Sequence, residues 1–84
     1  MTQSIEYNGK TIKMPFEVED KYLTTEMIEV ANHFSGETVQ LPMFARYVRD
    51  TILGAEMVSN VTLMRKGLDW FQKHFAKEYM VLLD

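Results

Sequence analysis

The sequence predicts an α+β fold in which helix dominates, and three observations predict it. An Asn-Gly pair stands between two short alternating runs near the N-terminus. Apolar residues recur at helical spacing in three later stretches. Glycine or proline marks the ends of those stretches. The expected architecture is one 84-residue domain, with an N-terminal β-hairpin over about residues 4–14 packed on three helices over about 21–34, 42–66 and 69–83.

Ser4-Ile5-Glu6-Tyr7 and Lys10-Thr11-Ile12-Lys13-Met14 flank Asn8-Gly9. Asn-Gly suits a two-residue type I′ turn because both central residues need positive φ. The register that follows pairs Tyr7 with Lys10, Glu6 with Thr11, Ile5 with Ile12 and Ser4 with Lys13. Ile5, Tyr7, Ile12 and Met14 then share one face, and a one-residue slip would destroy that separation. Pro15 ends the second strand because it cannot donate to the ladder.

A lone hairpin is marginal in water, so its apolar face must lie on something. Leu23, Met27, Ala31 and Phe34 make the stripe of a first helix, capped by Asp20, Thr24 or Thr25 and closed by Ser35-Gly36. Residues 37–41 read as a loop, and Pro42 suits the first turn of a second helix. Its buried stripe is Phe44, Val48, Ile52 and Ala55, with Arg46, Arg49, Asp50 and Glu56 mostly off it. Ser59-Asn60 could break this helix and cap a new one, and a chain helical straight through Gly67 is a third possibility. Arg65-Lys66-Gly67 makes the better terminator, with Asp69 and Gln72 as a capping box for the third helix. Leu68, Phe71, Phe75 and Leu82 line the core face of that helix, with Tyr79 beside them.

Composition bounds the function. A chain this short buries roughly 64% of its unfolded surface, enough for a thin core. The chain has no cysteine, so thiol chemistry and disulfides are out. The first residues show no basic-then-apolar leader, and no apolar run approaches the ~20 residues of a membrane span. The default expectation is a cytoplasmic protein that does not enter a membrane. The net charge is −3, and all of the excess acidity falls in residues 1–36, where three lysines meet six acids. That balance disfavours general nucleic-acid binding.

No residues here add up to a catalytic or metal site, and no catalytic residue, cofactor or metal is expected. Glu29 with His33, and His74 with Glu78, stand four apart on the expected helices, but such pairs are common surface features. Ser4, Ser35 and Ser59 suit a strand, a cap and a turn, and the four glycines form no phosphate loop. Trp70, Lys73 and Lys77 share a helix face, joined by Lys66 if the chain stays helical through residues 66–77, a short basic and aromatic stripe of the kind that contacts nucleic acid; this is the alternative reading.

Seven methionines are many for this length. Met27, Met57 and Met64 are expected in the core, with Met43 and Met80 at the surface, where thioethers adapt to partners. Tyr79-Met80-Val81-Leu82-Leu83 is apolar all round, which an exposed helix end should not be. The functional expectation is a small non-catalytic interaction or adaptor protein, a homodimer that self-associates through this C-terminal helix. Its candidate contact residues are Met43, Trp70, Tyr79, Met80, Val81, Leu82 and Leu83. Asp84 is expected at the rim of the interface.

Overall fold

The computed structural model describes residues 3–83. Two antiparallel hairpins precede three helices. β1 (Ser4–Tyr7) pairs with β2 (Lys10–Lys13), and β3 (Met27–Ala31) with β4 (Thr38–Pro42), as two separate two-stranded sheets. α1 (Met43–Met57), α2 (Val61–His74) and α3 (Ala76–Leu82) follow. The α+β class and the N-terminal hairpin are as the sequence predicts. The elements beyond residue 20 differ in ways that matter for function.

The first hairpin has the register derived from its turn, from Ser4 opposite Lys13 to Tyr7 opposite Lys10. Asn8 and Gly9 have φ of 51° and 76°, the two positive values a type I′ turn requires. Ile12 and Met14 are buried, and Ile5 and Tyr7 pack against the core. Gln3 anchors the segment beyond Pro15: its side-chain amide donates to Val18 O at 2.8 Å and accepts from Val18 N at 2.6 Å. Val18 is thereby held in the core.

The helix expected over residues 21–34 is not formed. A single 3-10 turn at Asp20–Tyr22 leads into β3, and residues 38–42, expected as loop and helix start, form β4. The reason lies in side-chain alternation. Ile28 and Val30 stand opposite Leu41 and Val39, so four apolar residues share one face of the hairpin. The helical reading would have buried Met27, Ala31 and Phe34 instead, and all three are exposed. Gly36 has φ of 77°, but that left-handed geometry closes the β3–β4 turn and not a helix.

The expected second and third helices are also divided differently. Ser59 adopts φ of 57°, and Asn60 caps α2 by accepting from Leu63 N at 3.1 Å. The chain therefore breaks at Ser59-Asn60 and stays helical through Gly67. Phe75 (φ −136°, ψ 57°) then separates α2 from α3. Asp69 lies within α2 and caps nothing.

Gly67 stays within α2 because α1 lies directly against it. A Cβ there would sit 2.5 Å from Ile52 Cγ1. The core joins both hairpins to all three helices and includes Phe44, Trp70, Phe71 and Phe75. The Phe44 ring meets Tyr7, Phe75 and Trp70 at centroid distances of 5.4, 5.9 and 6.1 Å, mostly edge-on, the arrangement aromatic quadrupoles favour. Phe44, Val48, Ile52 and Ala55 are buried as their spacing predicts.

Candidate functional site

The apolar C-terminal run is largely consumed by the fold itself. Leu82 is buried, and Tyr79, Val81 and Leu83 pack against the core. Asn32 ties this run to the second hairpin. Its Nδ2 donates to Val81 O at 2.7 Å, while its Oδ1 accepts from Phe34 N at 2.7 Å and Ser35 N at 3.2 Å. One side chain therefore both shapes the β3–β4 turn and fixes the end of the chain. Met80 is the most open of the five, 67% exposed, while Tyr79, Val81 and Leu83 are partly buried. Asp84 lies outside the described residues.

The basic and aromatic stripe does not survive folding. Trp70 is 7% exposed, and its indole N–H donates to Lys13 O at 2.7 Å. The ring has neither an open face for a base nor a free donor. Lys73 closes α2 and Lys77 opens α3, on either side of the bend at Phe75, so they share no continuous helix face. The spaced Glu–His pairs separate in the same way. Glu29 is on β3 with His33 in the following turn, and His74 and Glu78 flank the Phe75 bend. Among the described residues no three metal-ligating side chains come together. His74 packs beside Trp70, 5.3 Å between centroids. Burial, reinforced by the charges of Lys73 and Lys10, lowers its pKa below the ordinary histidine value of 6.5.

Two surfaces replace those expected. The first is the corner between α1 and α2. Met57, Val58 and Val61 are 85%, 74% and 52% exposed there. Val61 also lines a shallow cleft of about 180 Å³ with Ala55 and Met64. Met57 was expected in the core, but the break at Ser59-Asn60 ends α1 and leaves its last turn in solvent. Met27, likewise expected in the core, is half exposed on the outward face of β3.

The second surface is a groove of about 410 Å³ between β3 and α1, and it contains Met43. Arg49, which the helical stripe placed off the core, is 7% exposed here. Its Nη2 donates to Ala31 O at 2.8 Å, and its Nη1 meets Asp50 Oδ1 at 2.9 Å. Arg46 Nε approaches the other oxygen of Asp50 at 3.1 Å. Helical spacing hides this groove because its far wall is a strand.

Comparison of the chain with models of protein families, with curated proteins and with solved structures finds no match.

Proposed function

We propose that this chain is a small non-catalytic interaction or adaptor protein that self-associates. The observation that supports this reading is the α1–α2 corner. Isolated exposed apolar side chains are ordinary on a monomer. Three large ones within five residues, one of them (Val61) lining a cleft, concentrate exposed apolar surface of the kind that partners cover. The C-terminal helix, expected as the interface, exposes Met80 and keeps Tyr79, Val81 and Leu83 partly buried against the core. The interface therefore centres on the corner, where Met57, Val58 and Val61 of one copy meet the same residues of another about a two-fold axis.

Light scattering over a concentration series tests this. The full chain is expected to move from 9.9 kDa toward twice that mass. The double variant Met57→Glu, Val58→Glu is expected to stay monomeric, because both positions are solvent-facing and the charges burden only the interface. A full chain that remains monomeric up to millimolar concentration sinks the self-association reading.

A further inference from the structure

β3 has one edge paired and one edge open. Asn32 N bonds to Glu37 O at 2.8 Å, and Met43 N to Glu26 O at 2.8 Å, just beyond the two ends of the β3–β4 ladder. Antiparallel pairing alternates, so residues 28 and 30 direct their backbone groups toward β4, while Met27, Glu29 and Ala31 direct theirs away. Two independent features agree with this. Pro42, which has no N–H to give, stands opposite Met27. Arg49 reaches the Ala31 carbonyl from outside the ladder. The outward N–H groups of Glu29 and Ala31 and the carbonyl of Glu29 have no hydrogen-bond partner among the described residues.

This edge faces the groove whose other wall is α1. Its volume, about 410 Å³, lies within the ~300–1,000 Å³ typical of ligand sites. Ile28, Val30 and Met43 supply apolar lining, Arg46 and Arg49 supply cations, and Glu29 and His33 also line the groove. Two guanidiniums share the single carboxylate of Asp50. Among the described residues the buried Nε of Arg49 has no acceptor, while the Arg46 side chain, 42% exposed, meets Asp50 through its Nε. Unused guanidinium donors beside an open strand edge call for a carboxylate carried on extended backbone.

We propose that the groove between β3 and α1 docks an extended acidic segment of a partner protein, which adds to β3 as a third strand and sets a carboxylate against Arg46 and Arg49. A second copy of this chain is a poorer occupant. Two β3 edges pairing antiparallel about Glu29 would place like charges directly opposite each other. The site is separate from the α1–α2 corner and does not depend on self-association.

The test is an amide NMR titration of the full chain with a capped hexapeptide of alternating valine and threonine carrying one central glutamate. Shifts are expected at the Glu29 and Ala31 amides, with binding about ten-fold weaker for Arg46→Ala and for the peptide with lysine in place of glutamate, the scale of one charged hydrogen bond. A peptide N-methylated on its strand-pairing amides should not bind. Arg46 is partly exposed, so its replacement leaves the core intact. Silent Glu29 and Ala31 amides at millimolar peptide, or equal binding of the lysine and N-methylated peptides, overturn the proposal. Light scattering on the same samples reads self-association separately.

Discussion

Gly67 of α2 lies so close to Ile52 of α1 that a single added methyl would stand 2.5 Å from Ile52 Cγ1. Ile52 is itself buried, so it cannot easily give way. Gly54, in the last turn of α1, has nothing within 4 Å of the equivalent position. The same substitution should therefore have opposite signs at the two sites. Gly54→Ala is expected to stabilise by up to about 1 kcal/mol through helix propensity. Gly67→Ala is expected to destabilise by about 1–3 kcal/mol, because overpacking outweighs that gain. Urea unfolding of the two variants decides the matter; two stabilised proteins would mean that the α1–α2 contact is looser than described.

Trp70 joins α2 to the first hairpin through its hydrogen bond to Lys13 O. Trp70→Phe keeps an aromatic ring in the core but leaves that carbonyl without its donor. The expected loss is about 1–3 kcal/mol, the cost of a partly buried acceptor left without its donor plus some lost volume. Thermal unfolding followed by far-UV circular dichroism measures it. An unchanged melting temperature would show that water replaces the indole without cost.

Leu82 and the Asn32–Val81 contact make the C-terminal helix part of the domain. Leu82→Ala is expected to cost about 2–5 kcal/mol, as for other buried leucines. A chain ending at Lys77 loses that packing and the Asn32 contact together. It should unfold or expose core surface, detected as dye binding, and should not persist as a stable monomer. A truncated chain as stable as the full one would return these residues to an interface role.

His74 gives a pH dependence of known sign. Its pKa in the folded chain lies below the unfolded value, so folding favours the neutral ring. The stability this contributes is present above the ordinary value of 6.5 and is lost as pH falls through the folded pKa. The wild type should therefore lose stability on acidification through this window more steeply than His74→Gln. An NMR titration should place the His74 midpoint below 6.5. A midpoint at or above that value would show that the ring is more hydrated than its packing on Trp70 implies.

The open edge of β3 illustrates why the β3–α1 groove was hidden in the sequence. Met43 was legible as a surface methionine, and it does line the groove. Arg49 was not, because helical periodicity puts it beside the stripe and only the approach of Ala31 makes it a buried donor. Of the corner residues, Met57 reads as core when the helix is continued past Ser59.

By itself the sequence determined what depends on neighbours along the chain. The Asn8-Gly9 turn set its own hairpin register through the φ values it requires, and the Phe44-Val48-Ile52-Ala55 stripe set the buried face of α1. Tertiary structure decided what depends on competition between partners. Residues 27–31 satisfy a helical period with Met27 and Ala31 and a strand period with Ile28 and Val30, so local pattern alone leaves them ambiguous. The pairing of Ile28 with Leu41 and of Val30 with Val39, beyond the reach of any local helical period, resolves it. Gly67 has the same character: locally a helix terminator, it remains helical because the packing of α1 on α2 needs a residue without a side chain there.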